Sequence, residues 1–259
     1  MRLALGLQYD GAAFCGWQTQ RSGCAAQDVV EGALAQFAGQ PVGTICAGRT
    51  DAGVHATYQV VHFDTGIDRP LDSWVRGVNR WLPTALAVRW ARSVDAEFHA
   101  RFSARARRYD YWLLNDAVRA PLLARRVGWV FRPLDLDSMR AAADPLMGVH
   151  DFSSFRSAEC QAASPVRELR ALDISASGRL IRLRFVANAF LHHMVRNLVG
   201  TLIYVGLGRR PVSWAGELLA ARDRRLAAPT CSAAGLYLTA VDYDSVFELP
   251  PPEDFAPLA

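Results

Sequence analysis

The chain has 259 residues, of which 51% are hydrophobic and 21% are charged, a composition typical of a globular protein with a buried core. All 29 basic residues are arginine, which excludes Schiff-base chemistry and a P-loop, because both need a lysine. The net charge of +4 favours an anionic partner. No apolar run is long enough to cross a bilayer and the first ten residues do not resemble a signal peptide, so we expect a cytoplasmic protein without a membrane partner.

The five cysteines are scattered along the chain, are odd in number and include no C-x-x-C pair. This pattern predicts neither a disulfide framework nor a zinc site. We expect each cysteine to serve as a small buried hydrophobic residue. They are Cys15, Cys24, Cys46, Cys160 and Cys231.

The first part of the chain alternates strand and helix patterns. Apolar residues alternate with others from Leu3 to Tyr9, which predicts a strand, and helical spacing predicts helices over 27–37 and 71–78. Further strands are predicted at 42–46, 58–63 and 86–90. The order strand, helix, strand, strand, helix, strand is typical of a ferredoxin-like α+β unit with its helices on one face of an antiparallel sheet.

The segment from Ala47 to Ala56 is the first candidate site. Gly48 and Gly53 bracket Asp51, which predicts a sharp turn between two strands that displays the carboxylate. Arg49 favours the ionised acid by charge proximity, so Asp51 is a candidate nucleophile, base or metal ligand. An ordinary Asx-turn, in which the side chain bonds its own backbone, explains these residues equally well.

Residues 101–114 combine arginines with aromatic residues. In a strand, Arg105, Arg107, Tyr109 and Tyr111 share one face, as in a nucleic-acid groove where guanidinium groups bind phosphates and rings stack on bases. The alternative is a solvated basic edge strand whose tyrosines belong to the core.

The remaining residues predict a second α+β half. Helices are predicted over 137–144, 190–205 and 214–221, and strands over 180–187 and 235–241. We therefore divide the chain into an N-terminal half carrying the Asp51 loop (1–104), a C-terminal half (105–245) and a Pro-rich tail (246–259). A cleft between two such halves is a favoured place for a ligand.

Arg196 lies within the polar stripe of the predicted helix 190–205. It is a candidate partner for a carboxylate or phosphate, and a solvated arginine is the alternative. The adjacent His192 and His193 point about 100° apart on a helix, which suits a single metal ion poorly. We expect these histidines to be hydrogen-bonding surface or interface residues.

Residues 47–55 match a signature of the TruA family of tRNA pseudouridine synthases, which the chain therefore resembles. Four further segments agree with that family in order, and the resemblance runs from about Leu3 to Val241. These segments are Tyr9 to Gln20, Phe98 to Phe102 through Tyr111, Asn188 to Gly200, and Gly235 to Leu238. The resemblance implies two ferredoxin/RRM-like halves that form a mostly antiparallel mixed sheet, flanked by helices, around a central active-site cleft.

The same resemblance implies a cofactor-free and metal-free isomerase that converts uridines 38, 39 and 40 of the tRNA anticodon stem-loop to pseudouridine. It implies a homodimer, with the residue matching Asp51 as nucleophile and the one matching Tyr109 stacked on the uracil as candidate base for the C5 proton. Arg196 then pairs with the aspartate, and Arg49 contacts RNA near the flipped nucleotide. We expect three further residues to bind the substrate, and these are Arg105, Arg107 and His55.

Two other functions are compatible with parts of the sequence. A non-catalytic RNA-binding protein would use the same arginines and tyrosines but would not need the Asp51 loop. A glycoside hydrolase usually needs two carboxylates that flank the scissile bond, and no second acid shares the Asp51 motif. The residues do not decide whether Asp51 attacks C1′, attacks the uracil ring or assists elimination.

Overall fold

The computed structural model describes residues 1–257, which contain ten β-strands and five α-helices, and the α+β fold class is confirmed. Two compact units can be distinguished. The first comprises Met1–Ala106 and Tyr237–Ala256, and the second comprises Arg107–Leu236. The expected domain boundaries stay a prediction, and the last two residues of the expected tail lie outside the described range. No helix between residues 1 and 257 is both long and apolar enough to cross a membrane.

The first unit is a sheet with two helices. Its elements are β1 (Arg2–Tyr9), α1 (Ala26–Ala38), β2 (Ile45–Cys46), β3 (His55–Asp64), α2 (Leu71–Asn79), β4 (Leu86–Val94) and β10 (Leu236–Asp242). The strands β4, β1 and β3 are antiparallel neighbours in that order. The second edge of β3 is shared, because β2 pairs antiparallel with it at Val61 and His62 while β10 pairs parallel with it at His55 and Ala56.

The helices of the first unit form where apolar residues recur at helical spacing. In α1 the buried face contains Val30, Ala33 and Leu34, and the helix ends at Gly39, whose φ of +72° is a left-handed conformation that favours glycine. Trp74 of α2 is fully buried. These faces cover the sheet and build the core beneath it.

Most strands of the second unit pair antiparallel with one another. Its elements are β5 (Ala106–Asn115), β6 (Gly128–Val130), α3 (Leu136–Ala143), β7 (Gly148–Asp151), β8 (Val166–Ser177), β9 (Leu180–Ala187), α4 (Met194–Gly206) and α5 (Trp214–Ala221). The order is β5, β9, β8, β7, with β6 parallel to β5. The helices α3, α4 and α5 pack against one another, and α3 also packs against β8.

The start of α4 differs from the prediction. The helix begins at Met194 and not at residue 190, because His193 has a φ of +63° and the His192 carbonyl accepts from the Ser157 N–H at 2.9 Å. The two histidines therefore precede the helix, with their rings 4.1 Å apart, and both are half-buried.

The expectation for the cysteines is wrong at two positions. Cys15 and Cys24 form a disulfide, and the Cys15 N–H also donates to the Cys24 carbonyl at 3.0 Å. The pairing depends on a turn that brings residues nine positions apart together. Cys46, Cys160 and Cys231 are free cysteines of intermediate exposure.

A buried ion pair joins two neighbouring strands of the second unit, β5 and β9. Asp110 of β5 has no exposed surface, and its two carboxylate oxygens accept from Nε and Nη2 of Arg184 on β9, each at 2.8 Å. The two residues face each other directly in the register of the strands. Such a bidentate pair fixes the register as well as neutralising both charges.

Replacement of Asp110 by Ala should lower the free energy of unfolding by about 3–5 kcal/mol, because the guanidinium of Arg184 is then left without its carboxylate. Urea unfolding followed by circular dichroism measures this loss. The control is Asp137→Ala, which removes an exposed ion pair to Arg140 within α3 and should change little. Equal losses in the two variants would show that the Asp110 pair does not hold β5 to β9.

Candidate active site

Asp51 lies in the loop of residues 47–54 that joins β2 to β3. The predicted strand-to-strand turn is confirmed. Gly53 has a φ of +78°, and the Val54 N–H donates to the Asp51 carbonyl at 3.1 Å, which closes the turn. Asp51 is half-buried.

Buried side chains support this loop from the sheet. The Gln59 side-chain amide donates to the Gly48 carbonyl at 2.7 Å, and the Tyr9 hydroxyl lies 2.8 Å from Thr50 Oγ1. Gln59, Tyr9 and Thr50 are all buried. Burial also raises the pKa of Tyr9, which keeps its phenol protonated and able to donate. The loop is thus anchored on both sides of Arg49.

A second support comes from residues 11–17. The Trp17 N–H donates to the Thr50 carbonyl at 2.9 Å. Gly16 has a φ of +104°, and a Cβ at this position would lie 3.0 Å from the Thr50 carbonyl oxygen. A Cβ on Gly11 would lie 2.0 Å from the Val54 carbonyl oxygen. Glycine at these two positions lets the backbone pack directly against the loop.

His55 is buried below the loop. It is 3% exposed, its ring stacks on Tyr237 of β10 at 4.5 Å, and its Nδ1 accepts from the Gly11 N–H at 3.1 Å. Tyr237 in turn packs on Phe255 of the C-terminal tail, with 5.0 Å between ring centroids. The position of His55 suits it to hold the loop, since little of its surface is open to a ligand.

Two exposed arginines, Arg49 and Arg101, lie near the end of β2. Both lower the pKa of the Cys46 thiol, although burial has the larger effect and raises that pKa to about 11. Arg49 follows Cys46 in the Asp51 loop, and Arg101 follows Ala100, whose N–H donates to Nδ1 of His62, the partner of Ile45 in the β2–β3 pairing. Arg101 has no role in the sequence-based prediction, and neither do Gln59 and Gly16.

The predicted basic-aromatic face is only partly exposed. Arg105 belongs to the first unit, is exposed and forms an ion pair with Asp244. In the second unit Arg107, Tyr109 and Tyr111 lie on one face of β5, as predicted from strand alternation, but they are 9%, 8% and 1% exposed. These three residues are therefore not part of an open groove surface.

The two tyrosines of β5 have different surroundings. The Tyr111 hydroxyl donates to the Ser232 carbonyl at 2.8 Å, which makes Tyr111 a core residue, as the alternative interpretation expected. Tyr109 contacts the Phe190 ring edge to face, with 5.1 Å between centroids. The stacking role that the resemblance implies for Tyr109 stays a prediction.

Arg196 of α4 is half-buried and its direction is fixed by the chain around Cys231. Its Nε donates to the Cys231 carbonyl at 2.8 Å. Its charge lowers the pKa of the Cys231 thiol, although burial dominates and raises that pKa to about 12. A Cβ on Gly200 would lie 2.5 Å from the Pro229 carbonyl oxygen, so glycine allows this segment to approach α4. Arg196 is therefore not a freely solvated side chain.

Comparison with known proteins assigns the family. A family model for tRNA pseudouridine synthases matches residues 7–103 and 142–244, which include Asp51 and Arg196 but not Tyr109. The chain belongs to this family. It is 60% identical over 250 residues to tRNA pseudouridine synthase A of Methylibium petroleiphilum, with 96% of each chain covered. It is 58% identical to the Burkholderia lata protein of that name (97% of this chain and 93% of the relative) and 57% identical to the Bordetella avium one (96% and 94%), each over 251 residues.

The resemblance to pseudouridine synthases seen in the motifs is thus confirmed, over nearly the whole chain. Family membership identifies the chain as an isomerase that acts on uridine in tRNA. The residues that support the Asp51 loop then become candidates for effects on activity as well as on folding.

The Gly16→Ala variant should lower kcat/KM by roughly 10- to 100-fold, because its Cβ displaces the Thr50 backbone and misplacement of about 1 Å can cost 10²-fold. The assay is tritium release from tRNA labelled at C5 of uridine. Gly23→Ala is the control, since Gly23 also has positive φ (+67°) but no atom within 4 Å of the added Cβ. Similar activity in the two variants would show that the contact between Gly16 and the Asp51 loop does not affect the reaction.

Proposed function

We propose that this protein isomerises uridines 38, 39 and 40 in the anticodon stem-loop of tRNA, with the Asp51 carboxylate as nucleophile. The observation that carries the proposal is the Asp51 loop, which is anchored through Gln59, Tyr9 and the Gly16 segment. A half-buried carboxylate on a turn held in this way is placed for chemistry with little freedom to move away.

The reaction exchanges one bond of the uracil for another. The N1–C1′ bond breaks, the base turns, C5 bonds to C1′, C5 then loses its proton and N1 gains one. A carboxylate assists the first step either by attacking C1′ or the ring, or by stabilising the positive charge that develops at C1′. In each case the nucleotide must be flipped out of its stack, which costs a few kcal/mol.

The family resemblance supplies roles for the other site residues. Tyr109 stacks on the uracil and is the candidate base for the C5 proton. Arg49 and Arg105 are exposed and suited to phosphate, whereas Arg196 is positioned by its hydrogen bond to bind a buried anionic group.

Two residues of the expected substrate-binding set are nearly buried. Arg107 donates to the Asn188 carbonyl at 2.9 Å, and His55 stacks on Tyr237. We propose that both act on the substrate by holding the elements around them. The family resemblance further suggests a cytoplasmic homodimer that needs no cofactor or metal ion.

The first test compares Asp51→Asn with the wild type in tritium release from C5-labelled tRNA. The wild type should release tritium from positions 38–40, and the variant should be at least about 10³-fold slower while still binding tRNA, because the isosteric amide is not nucleophilic. Asp68→Asn, at an exposed position between β3 and α2, is the control and should keep full activity.

If the Asp51 variant keeps its activity, Asp51 is only a turn residue and the proposed role is wrong. If tritium is released from other uridines, the role of Asp51 stands and the proposed positions are wrong. Sequencing of the tRNA after reaction distinguishes these results.

The Tyr109→Phe variant should keep tRNA affinity and lose about 10²- to 10⁴-fold in the rate of tritium release, since the ring can still stack but the hydroxyl that accepts the C5 proton is gone. Tyr111→Phe is the matched control two residues along the same face. It removes a hydroxyl bonded to Ser232, so it should reduce thermal stability and leave the rate unchanged. Full activity of Tyr109→Phe would exclude the tyrosine as base.

A further inference from the structure

Phe102 is an apolar ring left in solvent. It lies between β4 and β5 and is 75% exposed, the largest exposed fraction among the exposed phenylalanine and tryptophan side chains of residues 1–257. A phenylalanine ring gains stability from burial, so a strongly exposed one gains free energy from a contact outside its own fold.

The ring is held in one orientation by its neighbours. Its centroid lies 4.3 Å from that of His99, with 26° between the ring planes, and the Arg101 guanidinium carbon lies 5.4 Å from its centroid. One face is therefore occupied by the imidazole. An exposed ring that is already stacked on one side offers a flat apolar surface to a second ring.

The backbone that bears Phe102 is also fixed. The His99 Nδ1 atom accepts from the N–H groups of Arg101 and Phe102, at 3.2 and 3.1 Å. The His99 N–H donates to Ser103 Oγ at 2.9 Å, and the Ser103 N–H donates to the His99 carbonyl at 2.8 Å. The backbone of residues 99–103 thus forms a turn that is held by hydrogen bonds to the His99 side chain and backbone.

This turn is fastened to the sheet at Ala100. The Ala100 N–H donates to His62 Nδ1 at 3.1 Å, and the Tyr243 hydroxyl donates to the Ala100 carbonyl at 2.6 Å. Burial, with the nearby His99 and Arg2, lowers the pKa of His62 to about 4, so its imidazole is neutral at pH 7 and can accept that hydrogen bond. Phe102 therefore projects from a pre-organised support and not from a mobile loop.

The support adjoins the Asp51 loop. His62 pairs with Ile45 of β2, and β2 ends at Cys46, directly before the loop begins. Arg101 follows Ala100, whose N–H is bound to His62, and Arg49 lies three residues after Cys46, so both cations belong to segments that join β3 and β2 at this point. Two guanidinium groups and an exposed ring together suit a nucleotide, with its phosphate on the cations and its base on the ring.

We propose that Phe102 is a stacking platform for an unpaired base that flanks the reacting uridine. The proposal rests on the proposed function, in which one nucleotide leaves the stack. That departure exposes a face of the next base, and an aromatic ring on a rigid turn replaces the lost stacking partner. Arg101 holds the phosphate of the same nucleotide.

Binding of a fluorescein-labelled anticodon stem-loop by fluorescence anisotropy tests the platform, in an Asp51→Asn background so that no conversion takes place. Phe102→Ala should weaken binding by roughly 5- to 150-fold, the range typical of the loss of one base–aromatic stack. Phe102→Trp should restore it, whereas Phe102→Leu should not. Trp81→Ala is the control, because Trp81 is also an exposed ring (51%) next to an arginine, Arg80, at 6.0 Å.

A set of stem-loops with one abasic nucleotide on either side of the target completes the test as a double-mutant cycle. At the flanking position that stacks, the abasic change and Phe102→Ala should be non-additive, so that the second change costs almost nothing after the first. Additive losses at every position would overturn the platform and show that Phe102 acts through the fold. Unchanged binding by Phe102→Ala would overturn the platform as well. So would a result in which Phe102→Ala changes only the sedimentation of the protein in the absence of RNA.

Failure of the platform proposal can be distinguished from failure of the proposed function. The KM for tritium release from full-length tRNA by Phe102→Ala, in the Asp51-containing protein, can be measured whichever uridine reacts. If that KM equals the wild-type value, the platform is wrong while the isomerase remains active. If release comes from uridines outside 38–40, the proposed positions are wrong, and a raised KM still supports the platform.

Discussion

The early end of β2 is the constraint on which the site depends. The strand has two residues, and after the Ala47 N–H donates to the Val60 carbonyl at 2.8 Å the backbone leaves the sheet. The Gly48 carbonyl, in the next residue of the loop, accepts from the side chain of Gln59 on β3 and not from a backbone N–H. A buried amide thus substitutes for a ladder hydrogen bond, which satisfies the carbonyl and releases the chain into the turn that bears Asp51.

The edge of β3 that β2 vacates is taken by β10. This strand comes from the far end of the chain and pairs with β3 at His55 and Ala56, just where the Asp51 loop returns to the sheet. The pairing brings Tyr237 onto the His55 ring, and the tail adds Phe255 behind it. The first unit therefore contains two segments that are far apart in the sequence. The Asp51 loop is supported by residues more than 180 positions apart.

The sequence predicts those parts of the structure whose pattern is local. The helices α1 and α2 have strong periodicity, because each presents one apolar face to a core, and β1 was recognised from its alternating sequence although residues 3–7 are buried on both faces. The strand β8 was missed although it has twelve residues, since only Leu169 and Ile174 of it are buried and the alternation is weak. The Asp51 turn was predictable from its glycines, whereas its supports at Gln59 and Gly16 were not, because contacts between distant segments leave no local pattern.

Rigidity explains why the turn of Asp51 and the turn of Phe102 are built alike. Each is a short segment whose backbone groups are bound by side chains of neighbouring elements, Gln59 in one case and His62 in the other. Extrusion of a nucleotide has to be offset by contacts made only in the flipped state, and contacts to a pre-ordered surface lose the least free energy to ordering. Buried polar residues in strands otherwise rich in apolar side chains are therefore the feature that connects this fold to its chemistry.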